Sequence, residues 1–243
     1  MTTFFVMTAL VIFLIGLSKG GLGGALGTLA TPLMTLVLPA PKVIGLLLPI
    51  IIVADVFALA AHWQRWDNKQ VLLLLPGAVV GVAIGTLFLA SISAESLRKI
   101  IGLIILIFVI YKIFETHLQH AIHYTARNWH GMVAGGAAAI SSTLAHTGPP
   151  PVAIYLLMQN IPPRTFVATT VLFFAVLNWI KVPSYYFAGL FDFKLLAQVV
   201  WLLPILPVSV WLGKNLIVRL NKAVFDRVIV ILLGGSAIFL LMS

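Results

Sequence analysis

The sequence predicts an all-α polytopic membrane protein of two repeats, each a broken helix or hairpin followed by three transmembrane helices. Three observations predict this fold: the composition, the number of long apolar runs, and a broken apolar segment that opens each half. Of the 243 residues, 61% are hydrophobic and 9% are charged, whereas a soluble domain is about one quarter charged. We therefore expect a chain embedded in lipid, which excludes an ordinary soluble domain and a soluble nucleic-acid binder.

The charge balance is basic, with 15 Lys and Arg residues, six acids and a net charge of +9. Most basic residues lie in short loops between apolar runs, so we interpret the excess as a signal for orientation in the membrane. The chain has no cysteine, which excludes disulfides, thiolate metal sites and cysteine nucleophiles. The N-terminal apolar run has no basic residue before it and no cleavage motif after it, so we expect a retained membrane segment.

Six apolar runs are long enough to cross a membrane, which takes about 20 residues. Three lie in each half, at Val43–Ala61, Val71–Ala90, Leu97–Phe114, Phe166–Phe187, Leu195–Leu212 and Ala223–Leu241. A broken apolar segment precedes each set, over residues 4–38 and 129–158. Because a membrane tolerates irregular backbone only where protein or a wet cavity satisfies it, we expect these segments to be discontinuous helices or hairpins. Glycines 77, 81 and 85 recur every four residues, which indicates close helix packing.

The two halves share their order of elements and their loop motifs. Pro41-Lys42 recurs as Pro163-Arg164, and the loop at 66–69 recurs at 191–194. These matches predict repeats over residues 1–115 and 129–243, joined by a cytoplasmic linker over 116–128. If each broken segment returns to the face it entered from, the basic loops concentrate more strongly on one face. The positive-inside rule therefore favours inverted repeats with both termini outside the cytoplasm.

The first break is rich in glycine, which lets the backbone unwind and expose N–H groups at the start of the next half-helix. Such a helix start attracts anions, and a lysine beside it adds a positive charge. We predict that an anionic substrate contacts Lys19, Gly20, Gly21, Gly23 and Gly24. The alternative is a close helix crossing with Lys19 reaching to the membrane interface. The segment lacks the spacing of a dinucleotide or phosphate-loop motif.

The second break carries hydroxyls and an imidazole, which can hold the oxygens of sulfite, sulfonate or carboxylate groups. The predicted contacts there are Ser141, Ser142, His146, Thr147 and Gly148. His146 is also a candidate proton carrier, because the ordinary histidine pKa lies near neutrality. The alternative for this histidine is a packing role.

Asp55 is the only acid inside a confident span, so it needs a partner or a proton. We interpret it as a candidate for proton coupling or for pairing with Lys19. Asn178 occupies the equivalent position in the second half and is a further predicted substrate contact. Lys181 follows three residues later on the same helix face. It either adds a second charge to the cavity or reaches the interface as a helix-end lysine, and we favour the second interpretation.

Histidines 117, 120, 123 and 130 lie in or near the linker. Spacing of three residues can align imidazoles on one helix face and bind zinc or nickel weakly, but no acid or thiol set completes such a site. We favour a linker exposed to water on the cytoplasmic side, and we expect neither a metal nor a cofactor.

The pattern Gly16-x-x-Lys19-Gly20-Gly21-x-Gly23-Gly24, with a proline-containing counterpart in the second half, resembles the sulfite exporter TauE/SafE family. This family is also known as the toluene-sulfonate uptake permease superfamily. The resemblance covers about Phe5 to Leu241. It implies a permease of a bacterial or archaeal inner membrane that moves small anions such as sulfite, sulfoacetate, thiosulfate or sulfonates by secondary transport.

We therefore predict a proton-coupled transporter, not an enzyme, that works by alternating access and holds its anion between the two broken segments. Asp55 or His146 would carry the proton. The alternatives are a passive anion channel and a membrane-assembly subunit. An intramembrane enzyme would need an acid to orient His146 beside Ser142, and Asp55 is the only acid in the confident membrane spans. The expected partners are the small anion and the lipid bilayer, and we expect no nucleic acid. The sequence leaves undecided whether the chain forms a homodimer.

Overall fold

The computed structural model describes residues 2–21, 26–121, 127–159 and 161–216, together with scattered helical residues between 231 and 242. In these ranges the protein is helical and contains no strand. The helices are α1 (Thr2–Gly21), α2 (Ala30–Thr35), α3 (Ala40–Ala61), α4 (Asn68–Ser91), α5 (Ala94–Ala121), α6 (Asn128–Ala145), α7 (Pro149–Leu157), α8 (Pro163–Phe187), α9 (Phe193–Val199) and α10 (Ile205–Leu216). Short 3-10 helices cover Leu26–Leu29 and Val200–Leu202.

Within the described residues, α1, α3, α4 and α8 are each long and apolar enough to cross a membrane. The segment Phe193–Leu202 and the helix that follows it pass the same test together, with a bend of 57° between them. The predicted all-α polytopic fold is therefore confirmed. The expectation of one uninterrupted span over Leu195–Leu212 was wrong, because this run is a bent pair. The predicted span Ala223–Leu241 lies almost wholly outside the described residues.

The first broken segment is a hairpin. The side chain of Ser18 near the end of α1 accepts a 2.9 Å hydrogen bond from the backbone N–H of Gly27, where the chain turns back. Farther along, the Thr8 hydroxyl lies 3.9 Å from the sulfur of Met34 in α2. The chain has thus returned to the level of early α1 before α3 begins. α3 then runs alongside α1, and Nε2 of His62 lies 3.1 Å from the carbonyl oxygen of Gly20.

The second broken segment folds in the same way. α6 ends at Ala145, and the next residue, His146, adopts a left-handed backbone conformation with φ of 54°. α7 then runs back until the ring of Tyr155 lies against Gly131 near the start of α6. α8 then runs in the same direction as α6, and near the ends of the two helices the hydroxyl of Tyr185 donates a 2.7 Å hydrogen bond to the carbonyl oxygen of Thr143. Both broken segments therefore return to the side from which they enter.

The two loops that share a sequence motif each begin a helix. Asp67 caps α4 by accepting hydrogen bonds from the backbone N–H groups of Lys69 and Gln70, and Asp192 caps α9 by accepting one from Leu195. Such a side chain satisfies N–H groups that a helix start leaves without partners. The recurring loop motif thus has a structural role, which is to start the helix after the second bend of each half.

Glycine allows the two most intimate helix contacts. A Cβ on Gly77 would overlap the carbonyl oxygen of Met132, and one on Gly135 would overlap that of Leu74, so α4 and α6 touch backbone to backbone. A Cβ on Gly213 would likewise overlap the carbonyl oxygen of Leu17, where α10 meets α1. Small residues permit this approach. Thus α4 of the first half packs against α6 of the second broken segment, and α10 of the second half packs against α1 of the first broken segment.

At the centre, α3 and α8 pack in opposite directions. Gly45 near the start of α3 lies against Leu190 just after α8, while the backbone N–H of Asp67 after α3 donates to Thr169 early in α8 at 2.9 Å. The two parallel crossings, α1 with α10 and α4 with α6, flank this antiparallel pair. This arrangement is the one expected of inverted repeats, and the repeat itself stays a prediction.

α5 covers the predicted run Leu97–Phe114 and continues to Ala121. The first residues of the predicted linker over 116–128 are therefore helical. The rest of the proposed boundary falls largely on residues 122–126, which lie outside the described residues, so the division into 1–115, 116–128 and 129–243 stays a prediction.

Candidate functional site

A cavity of about 60 Å³ lies between the two breaks. This volume has room for a few water molecules or one small ion, since a single water needs about 10–15 Å³. The described residues that line the cavity come from α1, the two breaks, α3 and α8: Ile15, Ser18, Lys19, Gly27, Ile51, Ser142, His146, Pro149, Thr170, Val171, Phe174 and Asn178. Four predicted substrate contacts are among them, namely Lys19, Ser142, His146 and Asn178.

One side of the site is an ion pair between the half-buried Lys19 and the buried Asp55. The ammonium group of Lys19 contacts Oδ1 of Asp55, and the side-chain amide of Asn178 donates a 2.7 Å hydrogen bond to Oδ2. The Asp55 side chain is only 2% exposed. A carboxylate at this depth needs such partners because burial without them is costly. The positive charge of Lys19 is therefore balanced within the protein before any substrate arrives.

The other side of the site is built around Lys181. Its ammonium group lies 3.0 Å from the hydroxyl of Ser142, 3.4 Å from the carbonyl oxygen of the same residue and 3.3 Å from Nδ1 of His146. Nε2 of His146 lies 3.1 Å from the carbonyl oxygen of Ile44. Because a carbonyl can only accept, Nε2 carries the hydrogen and the lone pair of Nδ1 faces the lysine.

The expectation that Lys181 reaches the membrane interface was wrong. Its side chain is fully buried, with 0% exposure, because α8 continues to Phe187 and places it well inside the helix. The sequence did carry a signal for this position, since Lys181 lies three residues after Asn178 on the same helix face. Thr170 and Phe174 also line the cavity, two turns and one turn before Asn178, and they were not predicted from the sequence.

Other predicted contacts lie apart from the lining. Gly20 packs against the backbone of Val210, Gly21 ends α1, and the hydroxyl of Ser141 donates to the carbonyl oxygen of Ala137 in its own helix. Gly148 packs against Phe174. Thr147 is buried, and its hydroxyl has no hydrogen-bond partner among the described residues. Gly23 and Gly24 lie outside the described residues.

Free backbone N–H groups are fewer at the second break than the sequence suggested. Pro149, Pro150 and Pro151 form the first turn of α7, and proline has no N–H. The N–H of His146 donates to the carbonyl oxygen of Ser142 at 2.9 Å. The side chains of Ser142 and His146, rather than a helix N-terminus, therefore supply the polar groups on this side of the cavity.

The histidine-rich region shows no metal site in the part of the chain that can be described. His130 pairs with the backbone of Arg127 at the start of α6, and no group of three potential metal ligands occurs among the described residues. His123 lies outside those residues, and the side chains of His117 and His120 are likewise not described.

The helices and the cavity define a polytopic membrane protein with a polar site between two helix breaks. The chain matches the family model for the sulfite exporter TauE/SafE over residues 8–240. It therefore belongs to the TauE/SafE sulfite exporter family, as the glycine-rich break predicted, and membership implies a membrane transporter of the anion-exporter type. Comparisons with curated proteins and with solved structures find no match.

Proposed function

We propose that the protein is a secondary permease for small sulfur-containing anions such as sulfite, sulfoacetate or sulfonates. The observation that carries this proposal is the cavity between the two breaks, whose lining includes polar side chains. The half-buried Lys19 lines it and the buried Lys181 lies behind the lining. A charged anion does not cross lipid unaided, and a site of this kind offsets the loss of water around it. Lys19, Ser142, His146 and Asn178 are the proposed contacts for its oxygens.

Asp55 is the proposed proton carrier. When ionised, it accepts hydrogen bonds at both oxygens, from Lys19 and Asn178. Protonation of Asp55 would remove its charge and leave the ammonium of Lys19 free to bind an anion. His146 is a weaker candidate, because a hydrogen on its Nδ1 would point at the ammonium of Lys181. Proton binding and anion binding would thus be coupled through Lys19.

Alternating access follows from the two hairpins. They enter from opposite sides, and their turning points flank the same cavity, so a relative rocking of the two halves would open it to one side at a time. Basic residues cluster at the side where α3 ends and α4, α6 and α8 begin: Arg65 in the loop after α3, Lys69 and Arg164 in the first turns of α4 and α8, and Arg127 just before α6. We place this side in the cytoplasm, with both termini outside, in a bacterial or archaeal inner membrane.

Reconstitution into liposomes tests this function. We expect saturable sulfite flux that responds to a pH gradient. An ohmic current would instead favour a channel, and no flux would favour an assembly subunit. Lys19→Ala should weaken anion binding at least about tenfold through loss of a charged contact, whereas Lys69→Ala, at an exposed position in the first turn of α4, should not. Asp55→Asn should abolish the response to pH. Intact pH dependence in that variant would place the proton elsewhere.

A further inference from the structure

In its ammonium form, Lys181 brings a positive charge that no neighbouring carboxylate among the described residues balances. An ammonium has three hydrogens, and three acceptors meet them: the hydroxyl and carbonyl oxygens of Ser142 and Nδ1 of His146. The ring of Tyr185 lies 5.8 Å away and adds a cation–π contact. No carboxylate among the described residues lies within 4.0 Å of this ammonium, whereas Lys19 has Asp55.

The charge of the site can therefore be counted. Lys19, Lys181 and ionised Asp55 give a net charge of +1, with His146 neutral. A buried charge without a counter-ion is costly, so a bound anion with one negative charge would be stabilised without any further change. A second negative charge on the anion would be balanced only if Asp55 became protonated, because this raises the net charge of the site to +2.

We propose that Lys181 is the permanent charge that selects the anion, and that Lys19 with Asp55 is a second charge available only with a proton. On this inference, which rests on the proposed permease function, a monoanion binds without proton uptake and a dianion binds together with one proton. Lys181 is a positioning residue, because it lies behind the lining. Lys181 acts through its electrostatic field and through Ser142. The hydroxyl oxygen of Ser142 accepts a hydrogen bond from Lys181, so the hydroxyl hydrogen of Ser142 is free to be donated to the anion.

Every charged or titratable group described around this lysine enters the count. His146 comes from the second break, Tyr185 from α8 itself, Lys19 from α1 and Asp55 from α3. Tyr185 is committed to the carbonyl oxygen of Thr143, and Nε2 of His146 to that of Ile44. Lys181 itself also titrates, and the three acceptors around it favour its charged form. Asp55 is then the group that changes the charge of the site without opposing a neighbouring ammonium.

Methanesulfonate and sulfate test the inference, because they have nearly the same shape and differ by one charge. Binding to the purified full-length chain is measured by calorimetry in buffers of different ionisation enthalpy, which reports proton uptake. For the wild type we expect no uptake with methanesulfonate and one proton with sulfate. The sulfate affinity should then fall about tenfold per pH unit as the pH rises.

Variants separate a charge role from a packing role. Asp55→Asn fixes the count at +2, so sulfate should bind more tightly and without proton uptake. Lys181→Met lowers the count to zero and should weaken methanesulfonate binding at least about tenfold, while Lys181→Arg should retain it. If Lys181→Met does not fold, Lys181→Arg still decides, because arginine is always charged. That variant should take up the same number of protons as the wild type with each probe, and a different number would show that Lys181 is not charged in the wild type.

Each outcome bears on one of the two proposals. Equal proton uptake with both probes, or wild-type binding by Lys181→Met, would overturn the charge inference alone. Sulfite flux by a chain that binds neither probe would also overturn it. A wild-type chain that binds neither probe and moves no sulfite would remove the permease proposal together with the inference.

Discussion

Asn178 donates a 2.7 Å hydrogen bond to Oδ2 of Asp55, and the predicted repeat places these two residues at equivalent positions of the two halves. The other oxygen of the same carboxylate accepts from Lys19. The contact between α3 and α8 therefore joins the two halves through the buried carboxylate of Asp55. Among the described residues, its hydrogen bonds come from Asn178 of the second half and from Lys19 beside the first break.

Lys19→Ala should destabilise the protein by about 3 kcal/mol, because it leaves Asp55 as a buried carboxylate without its cation. The double variant Lys19→Ala with Asp55→Asn should be more stable than Lys19→Ala alone, since the uncompensated charge is gone. Chemical unfolding in detergent micelles measures both. Equal stability of the single and double variants would mean that Asp55 does not depend on Lys19.

The polar residues of the first half could be recognised from the sequence because each stands alone in apolar surroundings. Lys19 sits beside the glycines, and Asp55 is the only acid in its span. Lys181 could not be placed in the same way. Pro183 lies inside α8 rather than ending it, and the partners of this lysine are 35 and 39 residues earlier in the chain. Only tertiary packing brings them together.

Tyr185→Phe should lower stability by about 1 kcal/mol, the typical net value of one hydrogen bond. The Tyr185 hydroxyl is buried and donates to the carbonyl oxygen of Thr143, which would lose this partner. Tyr186→Phe is the matched control, because that side chain is 62% exposed and should change little. Thermal unfolding of the two variants tests this. A larger loss for Tyr186→Phe would contradict the assignment.

The bend between α9 and α10 had a signal in the sequence that hydropathy alone did not reveal. The run Leu195–Leu212 contains Pro204 and Pro207, and proline removes a helix hydrogen bond and crowds the preceding turn. The number of apolar residues in this run is sufficient for one membrane-spanning helix. The run nevertheless forms two helices, because the prolines interrupt the helical hydrogen bonds.

Gly77→Ala should destabilise the crossing of α4 and α6 by about 1–3 kcal/mol, the usual cost of overpacking a tight contact. Its new methyl group would overlap the carbonyl oxygen of Met132, which is backbone and cannot rotate away. Gly136→Ala is the matched control in the same crossing. There the nearest atom to a new Cβ is 3.3 Å away, so a small shift accommodates it. Thermal unfolding should rank Gly77→Ala as the less stable, and the reverse order would refute this packing.

His62 should make the protein less stable as the pH falls. Burial, the largest cause, lowers the pKa of His62 below its ordinary value of 6.5, with smaller contributions in the same direction from Lys214 and Arg65. Because the unfolded chain takes up this proton more readily than the folded one, stability is present above about 6.5 and declines as the pH falls through and below that value.

His62→Gln removes the titration and keeps an N–H donor for the carbonyl oxygen of Gly20. Melting temperatures of the two proteins are compared between neutral pH and about pH 5, the range in which histidine changes charge. The wild type should lose more stability than His62→Gln over this range, and the difference isolates His62 from the other histidines. Parallel pH profiles would show that His62 is not the group whose protonation weakens the contact between α1 and α3.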